Sequence, residues 1–494
     1  MDNTPQPRTY GGWRRSRGMG LMGLGPFQSL LVLGAVTLLV IAATVSFTAL
    51  IVLAVPCLVL LVGVLARFDG VPLAHGLVVR LRWWYATTRG HTSYRAGVMV
   101  AGEHAWGLPG VLAPTRLLSV PEGAGGFGVV HNPRTAMFTV TLRCAATSTW
   151  LADPDEGAAW VASWGGWLAN LGHHPGIHHI TVTVDSAPDP GTRLSDHIAR
   201  RILPGAPASA VRILRQLVDT APAAAADVET RVSITFHHPP TGPDDDTGEA
   251  LDHIARAVPG LIDSLGSCGL SSLGLATAGD LIGIVRTAYD PVMRGDVDRM
   301  LHLRGGAELG QWLDWDTAGP VMAEEHLDSY VHDTGVSVTW AWHEAPRQQV
   351  HADVLSRLLS PGPFPKRVSL IYRPLPAGEA ARTVEREVNA AAFRASFNRV
   401  QKRDESARDA TDRDRAQRAA WEEATGAGIG FISLFTTVTV TDPDHLPRAV
   451  ADIESRADTA KIRLRKLLAS QAAGFATTLP CGVFPPALAR TWPR

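Results

Sequence analysis

The chain has 494 residues, with 46 Lys and Arg against 47 Asp and Glu, and 46% of it is hydrophobic. That length gives room for about three domains, and a net charge of −1 removes any case for nucleic-acid binding by bulk electrostatics. Four cysteines, Cys57, Cys144, Cys268 and Cys481, lie far apart with no CxxC, which argues against a disulfide scaffold or zinc ribbon and fits a reducing compartment. Only Lys366, Lys402, Lys461 and Lys466 are lysines among the basic residues, the mark of a GC-rich genome.

After a basic tail, residues 1–26, comes a run without charge from Gly18 to Ala66. A membrane crossing takes roughly 20 apolar residues, so the run divides into Phe27–Val45 and Thr48–Ala66, with the small polar cluster Ala43–Thr48 as the turn. Residues 27–66 are therefore expected to form a two-helix transmembrane hairpin, with Pro56 inside the second helix. Arg14, Arg15 and Arg17 precede it and Arg67, Arg80 and Arg82 follow it, which places both ends in the cytoplasm by the positive-inside rule. A signal peptide has a shorter apolar core and then a cleavage site. Arg14-Arg15 imitates a twin-arginine signal and Ala54–Cys57 a lipoprotein site, but Pro56 before the cysteine and the apolar stretch beyond it speak against both. In the juxtamembrane segment, 67–98, "GLVVRLRWWYATTRGHTSYR" mixes apolar and basic residues; Trp83 and Trp84 suit the membrane interface and the arginines suit anionic headgroups. The alternative is the first helix of a soluble domain.

The remainder reads as two α+β units, 99–304 and 335–494, joined by a linker at 305–334. In the first, strands at Arg134–Thr147, His178–Ala187 and "DVETRVSITFHH" alternate with helices at "DPDEGAAWVASWGGWLANLG", Thr192–Leu203, Ser209–Thr220 and "EALDHIARAVPGLIDSLGSCG". A short strand, "SSLGLATA", and a helix, "GDLIGIVRTAYDP", close it. In the second, "GVSVTWAWHE", Lys366–Pro376 and Ile429–Asp442 read as strands, 378–425 as a long helical arm, and "DHLPRAVADIESRADTAKIRLRKLLASQ" as one helix striped by Leu446, Val450, Ile453, Ala457, Leu464 and Leu468. Strands and helices in this alternation suggest ferredoxin-like α+β units. Within the arm, Gln401–Arg418 contains no large apolar residue. Its pairs Asp404/Arg408, Asp409/Arg413 and Asp414/Arg418 stand at i,i+4 in the favourable order, so a protruding charged helix is expected, either simply solvated or a docking arm for a partner.

Motifs with chemistry of their own are weak. "GMGLMG" at Gly18 runs into the apolar stretch, and "GAGGFG" at Gly123 leads to "VVHNPRT" rather than to a helix, so neither suits a dinucleotide. No Gly-Lys pair exists, so the sequence has no Walker A loop. His173, His174, His178 and His179 in "HHPGIHH" are metal-ligand types, but Pro175-Gly176 marks a turn and adjacent histidines there are expected to point different ways. "HEAPR" has Arg347 where a zinc-protease helix needs histidine. No catalytic, cofactor or metal residue is assigned.

The apolar hairpin followed by "FDGVPLAHGLVVRLRWW" resembles the PrgI-type inner-membrane subunit of conjugative type IV secretion systems. "FPKRVSLIYRPLPAGEAARTVEREVNAA" and "VTVTDPDHLPRAVADIESRADTAKIRLRKLLASQAAGFATTLPCG" are similar to the N-terminal region of TrbE/CagE-type secretion ATPases, where strand, long helix, strand and helix end in a Leu-Pro turn ahead of the motor. Here the chain stops soon after Leu479-Pro480, without the motor. Actinobacterial conjugative elements encode composites of this kind, so the resemblance implies a non-enzymatic inner-membrane scaffold that recruits a separate P-loop ATPase within a larger complex of membrane subunits, touching lipid and not nucleic acid. Two other readings stay open: a type VII secretion core subunit of the EccE sort, and a membrane-tethered metal-dependent enzyme using the histidines.

Overall fold

A run without charge satisfies its own backbone most simply as helix. The structure, a computed structural model, describes residues 9–11, 26–68, 71–97, 106–121, 126–146, 153–220, 226–239, 247–304, 313–346, 348–376, 378–386, 388, 407–424 and 426–488. Helices α1 (Pro26–Val45) and α2 (Phe47–Leu65) are separated by Ser46 alone and contact each other. Ser46 is extended, with φ −167° and ψ 141°, and its Oγ accepts the Thr48 amide at 3.3 Å, the cap that starts a new helix. The break falls inside the expected turn. Among the described residues α1 is the one helix long and apolar enough to cross a membrane, over Gln28–Val45; the apolar stretch of α2, Leu50–Leu65, is shorter. Strands β1 (Arg67–Phe68) and β2 (Val71–Pro72) pair antiparallel and lead into α3 (Leu73–Thr88). These elements belong to a unit of Trp13–Thr92 with Thr383–Ala420; Met1–Gly12, Ser93–Arg382 and Trp421–Arg494 form the other.

The second unit is built on a 13-stranded antiparallel sheet. Its first part holds β3 (Ser93–Arg95), β4 (Arg116–Val120), β5 (Phe127–Asn132), β6 (Met137–Ala146), α4 (Pro154–Leu171), β7 (Ile177–Pro188), α5 (Thr192–Ala199), α6 (Ala208–Thr220), β8 (Ala226–His237), α7 (Thr247–Asp263), β9 (Leu270–Leu275), α8 (Ala278–Tyr289) and α9 (Arg294–Arg304). The strand order β7-β8-β6-β9, with α4 and α7 as the crossovers, makes this a β-α-β-β-α-β unit. Helix α8 starts at a reciprocal cap: Thr277 Oγ1 accepts the Asp280 amide at 3.2 Å and Asp280 Oδ2 accepts the Thr277 amide at 2.9 Å.

The second part repeats the plan. It holds β10 (Met322–Glu325), β11 (Tyr330–His332), β12 (Gly335–Glu344), α10 (Ser356–Leu359), β13 (Lys366–Pro374), β14 (Gly430–Val440), α12 (Leu446–Thr459), β15 (Arg463–Lys466) and α13 (Gln471–Thr477), while α11 (Ala407–Ala424), between β13 and β14 in the chain, falls mostly in the other unit. The order β13-β14-β12-β15 matches β7-β8-β6-β9 position for position. The two parts meet where β13 pairs with β7, from Lys366 opposite Ser186 to Tyr372 opposite Ile180. One sheet therefore runs through both, and the segment expected as a linker supplies β10 and β11, with β3 paired to β10.

Strict alternation gives this sheet two unlike faces. On one, Val140, Leu142, Ile180, Val232 and Ile234 pack under Trp167, Leu171, Ile254 and Val258 of α4 and α7, and Val338, Trp340 and Val438 pack under Ala449 and Ile453 of α12. The other face carries buried hydroxyls bonded across strands: Thr139–Thr235 at 3.0 Å, Thr141–Ser233 at 2.9 Å, Thr183–Ser369 at 2.8 Å, Thr339–Thr437 at 2.9 Å and Ser337–Thr439 at 2.8 Å. Satisfied in pairs, these groups avoid the desolvation cost of a buried orphan. The chain from α13 to Phe484 covers part of that face: Gln471 Oε1 accepts the Thr339 amide at 2.7 Å, and Thr478 Oγ1 lies 3.3 Å from Thr437 Oγ1.

One expectation needs correction. The single helix expected through 444–471 stops at Thr459: Lys461 is left-handed (φ 57°), and Arg463–Lys466 pairs with the free edge of β12, so Leu464 and Leu468 leave the helical stripe. Sheet hydrogen bonds outweigh helix propensity there. Of the arm expected over 378–425 as one long helix or a helical hairpin, residues 378–386 and α11 are helical, and 389–406 lie outside the described residues.

Gly482 (φ 64°) presses the C-terminal segment onto the hydroxyl face; a Cβ there would lie 2.0 Å from Thr139 Oγ1. Gly482→Ala is expected to cost about 2–4 kcal/mol, backbone strain plus overpacking. Gly205→Ala, also at positive φ but with nothing within 4 Å, should cost less. Thermal unfolding in detergent checks this, and equal shifts for the two would contradict the packing described.

Candidate functional site

Among the described residues, the largest surface that water alone cannot satisfy is on α1 and α2. Leu30, Leu33, Val40, Ile41, Val45, Phe47, Val52, Val55, Leu58 and Val59 all stand exposed, and the buried apolar residues of these helices are Ala35, Ala42, Cys57 and Val64. A soluble monomer rarely shows contiguous apolar area of this kind, since each such side chain forgoes about 1.5–3 kcal/mol of burial. α3 continues the theme. Leu73, Leu77, Leu81 and Trp84 fall at helical spacing and are all exposed, and the helix has no buried residue. Arg80 and Arg82 are exposed beside them, Trp83 is half-buried, and the Arg89 guanidinium lies 5.3 Å from the Tyr85 ring centre. Arg14, Arg15 and Arg17 lie outside the described residues, and Arg67 sits in β1.

Of the charged arm, Asp404 lies outside the described residues, while Arg408, Asp409, Arg413, Asp414 and Arg418 are on α11. Asp414 and Arg418 are exposed, four residues apart, and Ala416 between them is buried. α11 is therefore covered on that side.

The histidines behave differently from the expectation. His173 and His174 are exposed in the turn after α4. His178 and His179 do not point apart: the β7–β8 register shifts between Ile177 and His179, and this bulge brings their Nδ1 atoms within 2.9 Å. Phe484 packs on both rings, each centroid 5.1 Å away, and His237 lies 6.2 Å from His178. His179 is fully buried, and burial, with help from His178 and Arg373, pushes its pKa down to about 3. Among the described residues no group of three or more His, Cys, Asp or Glu comes together as a metal site.

The sequence reading missed a buried ion network where the two halves of the sheet join. Arg231, with its side chain 2% exposed, donates to Asp185 Oδ2 and Glu229 Oε2, both at 3.0 Å, and Arg294 reaches Asp185 Oδ1 at 3.4 Å. Burial opposes ionisation of Asp185, but Arg294, Arg231 and Arg367 together hold its carboxyl below the ordinary range. Arg367, opposite Asp185 in the sheet, donates from Nε to Thr478 Oγ1 at 3.1 Å, stacks on Phe475 at 4.7 Å, and is pushed by burial to about 10. The only signal in the sequence was a charge inside each of three strongly β-patterned strands.

No protein-family model matches the chain, and no curated protein matches it.

His179 is neutral in the fold, and its free value is 6.5. A depressed histidine contributes stability above its free pKa and loses it as pH falls towards the folded value. Between pH 7 and pH 5 the loss from this one group is about 2 kcal/mol. His179→Phe should flatten the acid limb of stability by that amount, read from melting temperatures at both pH values. An acid limb unchanged in the variant would show that His179 titrates normally.

Proposed function

We propose that this chain is a membrane-anchored scaffold subunit of a type IV secretion-like conjugation apparatus that docks a separate P-loop ATPase. The observation that carries this is the uncovered apolar surface of α1 and α2, joined in one chain to an extensive α+β sheet. On this reading both helices cross the bilayer as a hairpin, Ser46 marks the far-side turn, and both termini are cytoplasmic. The arginines flanking the run favour that orientation. α3 lies at the interface, its Leu73–Leu77–Leu81–Trp84 face in the acyl boundary and Arg80 and Arg82 at anionic headgroups.

The body forms two ferredoxin-like halves. In the second, β13, a helical segment, β14, α12 and the Leu479-Pro480 turn follow the order that the resemblance to the secretion ATPases implies. Leu479 and Phe475 are buried in the core, so the segment that precedes the motor in those ATPases is here part of the body. The charged arm Gln401–Arg418 is the docking element for the motor.

Deleting Gln401–Arg418 should reduce copurification of the ATPase from native membranes by about tenfold or more, a loss of about 1.4 kcal/mol or more, while the chain stays in the membrane fraction. Undiminished recovery would remove the docking role of the arm. Recovery of an FtsK-type ATPase with WXG-type substrates would move the chain to the type VII apparatus.

A further inference from the structure

α3 begins where the apolar hairpin ends. The Leu73 amide donates to the Ala66 carbonyl at 3.0 Å, and Ala74 Cβ lies 3.6 Å from where a Cβ on Gly63 would stand. The helix is thus held against the end of α2, in the same unit.

Its residues divide into three sides. Val79, Trp83 and Ala86 are partly buried. Leu73, Leu77, Leu81 and Trp84 form the exposed apolar stripe. Arg82, Tyr85 and Arg89, the last at the C-terminal cap, are also exposed and stand at i, i+3 and i+7. At about 100° per residue this row lies about 120° round the axis from the stripe, and Arg80 borders the stripe on its other side. A helix lying in the interface with its stripe turned to the acyl chains therefore holds the row at headgroup level, within reach of long side chains that keep their charge in the polar layer.

The charge on this side is all of one sign. No Asp or Glu occurs from Gly70 to Gly102. Among the described residues no carboxylate stands at ion-pair distance from Arg80, Arg82 or Arg89, whereas Arg95, the next arginine along, has Glu324 at 3.8 Å. The Arg89 guanidinium lies over the Tyr85 ring, 5.3 Å from its centre, a contact that orients the charge without neutralising it.

We infer that Arg82, Tyr85 and Arg89 form a headgroup site that selects phospholipid of net negative charge, such as phosphatidylglycerol, over zwitterionic lipid. The inference rests on the membrane-anchored reading above and adds to it a lipid preference and the residues that set it. Each guanidinium near an anionic surface is worth about fivefold in that preference.

The test uses the full-length chain in lipid nanodiscs, with an environment-sensitive dye on Leu77→Cys; all four native cysteines are buried. Discs with about one-third phosphatidylglycerol should give a bluer emission than discs of phosphatidylcholine alone. Arg82→Gln/Arg89→Gln should lose most of that difference, and Arg200→Gln/Arg201→Gln, exposed on the body, should keep it. Equal emission of the parental chain in the two discs overturns the inference and leaves the anchored reading standing. A difference retained in Arg82→Gln/Arg89→Gln overturns the assignment of the site to this row. A blue shift produced by inorganic phosphate in phosphatidylcholine discs marks a free-anion site and overturns the lipid preference. Failure of the chain to enter discs of either composition overturns the inference and the anchored reading together.

Discussion

An apolar side chain that no protein atom covers must be covered by something other than water, and this constraint governs the N-terminal region. α1 and α2 bury only Ala35, Ala42, Cys57 and Val64 among their described apolar residues, and leave most of their leucines, valines and isoleucines exposed. Two helices that satisfy their own backbones, broken only by a capped Ser46, suit a medium that offers no hydrogen bonds. The proposed hairpin rests on this surface, and the proposed scaffold role on the body joined to it in the same chain.

What it holds is a body whose two halves share one hydrogen-bonded sheet. The β7–β13 pairing sets Asp185 opposite Arg367 and Thr183 opposite Ser369, so charge and hydroxyl groups meet at the seam. Burying a charge alone would be costly; Asp185 is offset by Arg231 and Arg294, and Arg367 by stacking on Phe475 and a bond to Thr478. The C-terminal segment is therefore built into the sheet's polar face, with Gly482 chosen where Thr139 leaves no room for a Cβ. Helical insertions stand between β7 and β8 and between β13 and β14, and a partner contact is proposed at the second.

Much of the fold was legible where period and length were unambiguous. Thr-Val alternation located β6, β7, β8, β12, β13 and β14 to within a few residues, and apolar stripes located α4, α6 and α7. The short strands β3, β10 and β11 were not legible, because three or four residues carry no period. β15 was hidden inside a convincing helical stripe; Arg463–Lys466 is a strand only because β12 offers it an edge. The contact between His178 and His179 was also out of reach, since a bulge is a property of the pair of strands and not of either sequence alone.

The central claim is that α1 and α2 are embedded with Ser46 on the far side and the body in the cytosol. It is tested most directly by a membrane-impermeant thiol reagent applied to intact cells carrying Ser46→Cys or Ser267→Cys, the second an exposed site on the body. The account predicts labelling at 46 in intact cells and at 267 only after permeabilisation. Labelling at 267 in intact cells, or at neither site before permeabilisation with the chain recovered in the soluble fraction, would contradict it.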